Sequence, residues 1–391
     1  MYPVGSRYES QKLNGVSHFI EHMMFKGTKK RPNSLTLTRE IDRLGAEYNA
    51  FTSKEYTGYY IKTDVRYAKT AIDILSDMLN NSLFDAKEMK KEKTVIVEEL
   101  RMYKDNPIMN IENVFEELMF DGCPLGWDIG GLEDNVLKFQ SSDVIKFKNK
   151  YYIPKNTTIV VAGNINEDVK NTIEDYFGSI KNNTKLDKNF VPAKFGCARK
   201  NNRLKIQQKK SDQAQLMLGF PGLKYNHKSN AVMSVLNTIL GGSMSSRLFS
   251  EIREKRGLAY MVRSGSDNFR DIGYAYVRAG LDTKNINEAI KVIKNELEKL
   301  KNKGVGVKEL KDAKTHIRGG LSLTMEDSSA QASWYARESM FSDSIKTPEE
   351  KLLELDKVNN EQIKKIAKKI FKENQMRVAI IGDVKENSIK F

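Results

Sequence analysis

The sequence predicts an α+β protein made of two related halves, each a mostly antiparallel sheet covered by helices. The chain has 391 residues. This length is more than one ordinary hydrophobic core accommodates, so two domains are the usual outcome. Residues 87–94 align without gaps on 308–315, and residues 158–163 align on 377–382. Self-similarity at so long a period indicates a duplicated domain. Helical and strand patterns mix without strict alternation, which favours an antiparallel or mixed sheet.

The first half contains segments with the apolar periodicity of helices and segments with the composition of strands. Residues 35–44 have apolar side chains at helical spacing and stop at Gly45, a typical residue just after a helix. Residues 46–63 are rich in Tyr, Phe and Thr and predict a hairpin that turns near Lys54 and Glu55. The same reasoning predicts helices at 67–79, 87–103, 111–120 and 141–151 and a β-branched strand at 157–162.

The second half repeats this organisation after a polar segment rich in Lys and Asn, residues 186–202, which we interpret as a linker. In the alignment of the two halves, Met1 falls near Gly222, beyond the strand of the second half at 214–220. We therefore expect the first half to lack its first strands. The remaining elements predicted for the second half are a helix at 227–240, strands within 259–280, helices at 286–303 and 307–324, and a strand at 376–381.

The composition excludes several classes of protein. With 39% hydrophobic and 30% charged residues, the chain is typical of soluble globular proteins. It has no run of eighteen apolar residues and no signal peptide, so we expect no membrane contact. Cys123 and Cys197 are far apart and form no metal or redox pattern, which fits a reducing, cytoplasmic location. The net charge of +14 comes from lysines interleaved with acidic residues, so we expect no nucleic-acid partner.

The motif with the clearest chemistry is His18, Glu21 and His22, in the order H-x-x-E-H, with Ser17 placed as helix N-cap. In a helix, His18 and His22 share one face and can hold one zinc ion. A catalytic zinc site keeps one position open for water. Glu21, beside that zinc-bound water, can take its proton. This order of residues is the inverse of H-E-x-x-H and is typical of the inverzincin peptidases.

The second half has no such motif, because Ile239 and Ser243 stand where the two histidines would align. We therefore expect a zinc-binding catalytic domain at 1–185 and a homologous domain without metal ligands at 203–391.

The third zinc ligand is expected on the predicted long helix of the first half, which offers Glu92, Glu98 and Glu99. Glu92 and Glu99 share one helical face, whereas Glu98 points about 100° away. In the second half Glu92 and Glu99 become Ala313 and Gly320, so both carboxylates are lost together with the histidines. We interpret Glu99 as the ligand and Glu92 as a group that orients a ligand or shares a proton. The alternative is that Glu98 and Glu99 are a solvated acidic pair.

These residues resemble the pitrilysin family of zinc peptidases. The resemblance rests on His18-Phe-Ile-Glu-His22, on Asn49-Ala-Phe-Thr52, on the helix with the two glutamates, and on residues 241–249 and 253–260, and it covers essentially the whole chain. It implies one zinc ion per chain, held by His18, His22 and Glu99, with Glu21 as general base. Glu92 matches the glutamate that the family has seven residues before its third ligand.

The resemblance also implies how substrate binds. The family's substrate lies as an extended strand along a sheet edge that matches Asn49, Ala50 and Phe51. Arg253 and Tyr260 match an Arg and a Tyr that touch the substrate backbone, and a Tyr hydroxyl there can stabilise an oxyanion. The alternative for Arg253 and Tyr260 is ordinary packing at a helix end.

Members of this size resemble half of a clamshell, which implies a homodimer, or a heterodimer with a related chain, closed around a chamber. Arg253 and Tyr260 would then reach the metal site from the partner chain. The family normally has a further segment before the match to residues 5–8, in agreement with the first strands that we expect to be absent.

We therefore expect a zinc-dependent endopeptidase that hydrolyses peptides or unfolded segments inside a closed chamber. The first alternative is a non-catalytic partner subunit of a peptidase pair, and the second is a basic nucleic-acid-binding module.

Overall fold

The computed structural model describes residues 1–120, 122–178, 180, 190–196 and 203–391. Cys197 and most of the predicted linker at 186–202 lie outside these residues. The chain divides into two compact units. The first unit comprises Met1–Met102, Trp127–Val191 and Asp327–Met340, and the second comprises Tyr103–Gly126, Pro192–Glu326 and Phe341–Phe391. The linear division of the chain into duplicated halves stays a prediction.

Fourteen α-helices and seven strands are present in the part of the chain that the structure describes. The helices are α1 Val16–Met23, α2 Ser34–Asp42, α3 Ala68–Asn81, α4 Ala86–Asp105, α5 Pro107–Met119, α6 Glu133–Lys138, α7 Ser141–Tyr151, α8 Glu167–Ile173, α9 Asn230–Gly241, α10 Ile286–Asn302, α11 Val307–Thr324, α12 Ser328–Phe341, α13 Pro348–Asp356 and α14 Asn360–Ile370. The strands are β1 Glu47–Thr52, β2 Thr57–Lys62, β3 Leu204–Gln208, β4 Gln213–Pro221, β5 Ala259–Asn268, β6 Gly273–Asp282 and β7 Arg377–Gly382.

The second unit has the sheet that the sequence predicts. Its five strands are in the order β3-β7-β4-β6-β5, and only the β3–β7 pair is parallel. Side chains of a strand alternate between the two faces of the sheet. Leu216 and Leu218 of β4 therefore join the core under α9, α10 and α14, whereas Met217 joins a second core with Phe115 of α5. The α+β class and the mostly antiparallel sheet are confirmed in this unit.

The first unit has a smaller sheet, the antiparallel hairpin β1–β2. Its register runs from Glu47 opposite Lys62 to Thr52 opposite Thr57, as expected for a hairpin that turns at residues 53–56. Helix α1 packs on β1 through its apolar face, on which four side chains are fully buried. Because that face is buried, the polar face of α1 is left for His18, Glu21 and His22. The four buried residues are Val16, Phe19, Ile20 and Met23.

The prediction of a strand at 157–162 is wrong. The structure has no strand there, and the pairing is limited to two hydrogen bonds between Met1 and Thr158, with N···O distances of 2.7 and 2.8 Å. Tyr2 in turn forms an isolated bridge with Thr57 of β2. An apolar β-branched sequence favours a strand but forms one only where a ladder partner is present. In the second unit the matching strand β7 has β3 and β4 as partners.

Several helix starts also differ from the sequence prediction, among them those of α5 and α1. Helix α5 begins at Pro107, ahead of the predicted 111, because the side chain of Asn106 accepts the backbone N–H of Ile108 at 3.0 Å and caps the helix. Helix α1 begins one residue before Ser17, so Ser17 is not its N-cap. Among the described residues, no helix combines the length and the low polarity needed to cross a bilayer.

Candidate metal centre

The start of the helix with the two histidines is constrained by a close backbone contact and by a buried carboxylate. Gly15 precedes it with φ +98°, and a Cβ on Gly15 would lie 2.4 Å from the carbonyl oxygen of Gly130. Buried Glu9 then accepts the backbone N–H groups of Gly15 at 2.7 Å and Ser17 at 2.8 Å. A carboxylate at this position satisfies free N–H groups and complements the helix dipole. Burial raises the pKa of Glu9, and these hydrogen bonds oppose the rise.

His18, His22 and Glu99 meet as a compact group. The Nε2 atoms of the two imidazoles are 3.2 Å apart. The Oε2 atom of Glu99 lies 3.4 Å from Nε2 of His22 and 3.8 Å from Nε2 of His18. Among the residues that the structure describes, this is the one group of three His, Cys, Asp or Glu side chains whose ligand atoms converge in this way.

The geometry of these three donors fits zinc. Two imidazoles and a carboxylate are a known donor set of catalytic zinc sites, and donors about 2.0–2.1 Å from a tetrahedral zinc lie roughly 3.3 Å from one another. The separations of 3.2, 3.4 and 3.8 Å are close to that value. The other ring nitrogen of His22 is bonded to Glu92, so its Nε2 is available to a metal.

Glu92 contacts His22 at the Nδ1 atom of its imidazole. Its Oε1 lies 2.8 Å from Nδ1 of His22, and its Oε2 lies 2.6 Å from the ammonium group of Lys26. Burial disfavours the charged form of Glu92, but the hydrogen bonds from His22 and Lys26 outweigh it and lower the pKa of Glu92. Burial likewise opposes protonation of His22, whereas its hydrogen bonds to Glu92 and Glu99 raise the pKa of His22. The pKa of His18 is lowered, mainly by burial and then by His22.

Glu21 projects beside the histidines and is held from the strand β1. The hydroxyl of Thr52 donates to its Oε2 at 2.5 Å. Burial raises the pKa of Glu21, while the hydrogen bond from Thr52 opposes the rise. A carboxylate with a raised pKa, held by one oxygen, is suited to accept a proton with the other.

Glu98 does not join this group. Its side chain is 65% exposed and forms an ion pair of 2.8 Å with Arg101, one helical turn further along α4. The alternative that Glu98 and Glu99 form a solvated acidic pair therefore applies to Glu98 and not to Glu99.

The predicted substrate residues lie on two different units. Asn49, Ala50 and Phe51 are on β1, which pairs with β2 on one side only, so its other side is a sheet edge within the described residues. Arg253 and Tyr260 belong to the second unit, where the guanidinium group lies 5.4 Å from the centre of the Tyr260 ring. Tyr260 is 77% exposed, so helix-end packing does not account for its side chain.

Two residues of this centre, Thr52 and Lys26, were not singled out from the sequence. Thr52 ends the Asn-Ala-Phe-Thr stretch, and Lys26 follows His22 by four residues. That spacing does not predict the contact of Lys26, because α1 ends at Met23 and Lys26 contacts Glu92 of another helix. Thr52 could not be assigned to Glu21, because that contact depends on how β1 packs beside α1.

Comparisons with known proteins find similarity over nearly the whole chain. The family described as "Insulinase (Peptidase family M16)" matches residues 2–127, and the one described as "Peptidase M16 inactive domain" matches residues 138–317. The uncharacterized zinc protease YmxG of Bacillus subtilis is 36% identical over 374 residues, which are 95% of this chain and 89% of that protein. An uncharacterized zinc protease of Streptomyces coelicolor is 32% identical over 98% of this chain and 84% of its own length.

Solved structures share the fold. A protease from Helicobacter pylori superposes with a TM-score of 0.91 at 25% identity and covers 97% of this chain and 92% of its own. A peptidase M16 inactive domain from Pseudomonas fluorescens gives a TM-score of 0.88 at 20% identity, with coverage of 98% and 91%.

Proposed function

This chain belongs to the insulinase family of peptidases, family M16, and we propose that it is a zinc-dependent endopeptidase acting on peptides or unfolded protein segments. The observation that carries the proposal is the convergence of two imidazoles and a carboxylate, from His18, His22 and Glu99, beside the carboxylate of Glu21. Relatives that are named zinc proteases support the same activity.

One zinc ion per chain would be held by Nε2 of His18, Nε2 of His22 and the carboxylate of Glu99. When bound, zinc supplies positive charge that polarises a peptide carbonyl and makes water more acidic. Glu92, hydrogen-bonded to His22, keeps that imidazole oriented with Nε2 toward the ion.

Glu21 is the proposed general base. It takes a proton from the water that attacks the peptide carbonyl, and it later gives that proton to the amine that leaves when the C–N bond breaks. Thr52 holds Oε2 of Glu21 and leaves Oε1 to accept the proton. The products are a new carboxylate and a new amino terminus.

The substrate is proposed to bind as an added strand along the free edge of β1, at Asn49, Ala50 and Phe51. Main-chain hydrogen bonds of this kind give affinity with little dependence on sequence, which suits an enzyme for unfolded segments. Arg253 and Tyr260 would contact the substrate backbone from a partner chain, related or identical, that closes a chamber. A cytoplasmic location and the lack of a nucleic-acid partner stay predictions.

A second candidate function, a non-catalytic subunit of a peptidase pair, is favoured by one observation. Residues 138–317 match a family described as an inactive domain, and no ligand group resembling that of the first unit is present in the described part of the second. The two functions differ in whether the zinc-loaded chain alone cleaves a peptide.

The test is Glu21→Gln, with zinc content and cleavage of a quenched fluorescent peptide measured on the same samples. We expect stoichiometric zinc with turnover reduced about 10²- to 10⁴-fold, the usual contribution of a general acid–base. Glu47→Gln, an exposed carboxylate on the same hairpin, is the matched control and should be fully active. Normal turnover in Glu21→Gln would remove its assigned role. A zinc-loaded but inactive wild-type chain would instead support the subunit function.

A further inference from the structure

Lys26, Glu92 and His22 form a continuous chain of contacts that ends at the metal centre. The ammonium of Lys26 lies 2.6 Å from Oε2 of Glu92, and Oε1 of Glu92 lies 2.8 Å from Nδ1 of His22. Each oxygen of Glu92 therefore has one charged or ionisable partner. Lys26 follows the last residue of α1, Met23, by three positions, so it lies beyond the regular helix that presents His22.

The position of Lys26 differs from that of an ordinary surface lysine. Its side chain is 25% exposed and its partner carboxylate only 5%. Exposed ion pairs usually contribute little free energy, but removal of one partner from a buried pair leaves a charge without compensation. The neighbouring Lys29 is exposed and offers a direct comparison.

A single contact to His22 would not fix the carboxylate of Glu92. The terminal torsion of a Glu side chain is broad, so a carboxylate with one partner can rotate about it and change the angle at which it accepts from Nδ1. A cation on the second oxygen restricts that rotation, because charge-assisted hydrogen bonds are the strong and directional ones.

We propose that Lys26 is a positioning residue of the metal centre. Through Glu92 it fixes the orientation of the His22 imidazole and so tightens the binding of zinc, without contact to zinc or substrate. The inference rests on the proposed function, because it needs His22 to be a zinc ligand. Groups that orient metal ligands typically change metal affinity about 10- to 100-fold when they are removed.

Lys26→Met is the informative variant, since methionine keeps much of the side-chain length and removes the charge. Zinc affinity is measured by competition with a chromophoric chelator, independently of peptide cleavage. We expect zinc binding about 10- to 100-fold weaker than in the wild type, and recovery of most of that loss in Lys26→Arg. Lys29→Met, the matched control, should bind zinc like the wild type.

A double-mutant cycle tests whether Lys26 acts through Glu92. If it does, Lys26→Met should weaken zinc binding strongly in the wild type and hardly at all in Glu92→Gln, because contacting residues are not additive. Equal effects in both backgrounds would overturn the inference. So would equal zinc affinities of Lys26→Met and Lys29→Met.

Two further measurements separate the possible failures. The visible spectrum of cobalt-substituted Lys26→Met should change in band positions, whether or not the urea midpoint of the metal-free chain falls. An unchanged spectrum together with a lowered midpoint would mean that Lys26 only stabilises the fold, and would overturn the inference. If the wild type binds zinc no better than His18→Ala, the proposed function itself fails. If it binds zinc tightly and Lys26→Met does too, only this inference fails.

Discussion

Thr52 is the residue whose single hydrogen bond connects the hairpin to the proposed general base. Glu21 must be ionised to accept a proton, and burial raises its pKa while the Thr52 hydroxyl opposes that rise. Loss of the hydroxyl therefore raises the pKa of Glu21 further. The acid limb of the profile of activity against pH should therefore move to higher pH.

We expect Thr52→Val to move the acid limb of kcat/KM upward by about one to two pH units, because a hydrogen bond to a charged group contributes about 1.5–3 kcal/mol. Thr52→Ser, which keeps a hydroxyl, should restore the wild-type limb. The measurement is kcat/KM for a quenched peptide between pH 5 and pH 8. A limb that moves equally in both variants would argue against the hydrogen bond as the cause.

Glu99 and Glu98 are adjacent carboxylates in different surroundings, which makes them natural controls for each other. Glu99 lies 3.4 Å from Nε2 of His22, whereas Glu98 pairs with Arg101 at the surface. We expect Glu99→Ala to lose zinc on dialysis and Glu98→Ala to retain it, as judged by elemental analysis. Zinc loss in Glu98→Ala with retention in Glu99→Ala would reverse the ligand assignment.

At this scale the sequence predicted the groups that share one helix, and it missed the contacts that Thr52 and Lys26 make with residues of other elements. The spacing of His18 and His22, and of Glu92 and Glu99, follows from helical geometry alone. The contact of Thr52 with Glu21 joins β1 to α1, and no periodicity encodes how two elements pack.

Among the elements, α1 is too short to be stable by itself. It has eight residues, and isolated helices below about 12–15 residues are marginal in water. Its stability must come from packing and from its ends. The sequence suggested Ser17 as the cap because capping patterns are local, whereas the actual acceptor is Glu9, six residues before Gly15.

Glu9→Ala should therefore destabilise the first unit by about 1–3 kcal/mol, the cost of leaving buried N–H donors without an acceptor. Urea unfolding at pH 7 measures this. Glu47→Ala, at an exposed position, should be nearly neutral. A similarly small effect of Glu9→Ala would mean that water replaces the carboxylate at the helix start.

The loop after α1 is fixed by a buried arginine. Arg31 donates to Asp73 at 2.7 Å, to Asp77 at 2.9 Å and to Glu40 at 2.5 Å, and its own side chain is 2% exposed. Burial opposes the charge of Asp73, but hydrogen bonds from Lys30 and Arg31 outweigh it and lower the pKa of Asp73.

An aspartate whose folded-state pKa is lowered stabilises the protein above its unfolded pKa, about 3.8–3.9. That stabilisation is lost as the pH falls through the folded-state pKa. Asp73→Asn should thus cost about 1–3 kcal/mol at pH 7, and the cost should shrink only below about pH 4. Urea midpoints from pH 7 to pH 3 test this. Asp64→Asn removes an exposed pair with Arg66 and should leave the urea midpoint nearly unchanged, because exposed ion pairs contribute little to stability.

Local pattern predicted most elements well, because apolar periodicity reports which face of a helix or strand is buried. It failed at 157–162, where the residues suit a strand but the pairing stops at Thr158. Whether a segment joins a ladder depends on its neighbours in space, and composition does not carry that information.

At the scale of the whole molecule, the predicted duplication would account for the single metal centre in the described part of the chain. Ile239, which aligns with His18, is buried in the core of the second unit, so the position serves packing. The α+β class was predictable from the sequence, whereas the repeat stays a prediction. The assignment of residues 103–126 to the second unit and 327–340 to the first was not predictable, because a helical pattern does not identify the body on which the helix packs.

The proposed partnership predicts complementation between two inactive chains. A chain with Glu21→Gln keeps Tyr260, and a chain with Tyr260→Phe keeps Glu21. If Tyr260 reaches the centre of a partner chain, mixed dimers contain one intact site, so activity should reappear on mixing. Each variant alone provides the baseline. Failure to recover activity in a mixture that sizing shows to be dimeric would place Tyr260 at the site of its own chain.

All three proposed ligands, His18, His22 and Glu99, belong to the first unit, and this has a calorimetric consequence. A ligand that binds only the folded state adds RT ln(1 + [L]/Kd) to stability, about 4 kcal/mol at a thousandfold excess over Kd. Zinc should therefore delay the melting of the first unit and leave the second unit's own stability unchanged. A chelator titration followed by scanning calorimetry would show one endotherm that moves and one that does not, so the ion itself identifies which unit melts in each.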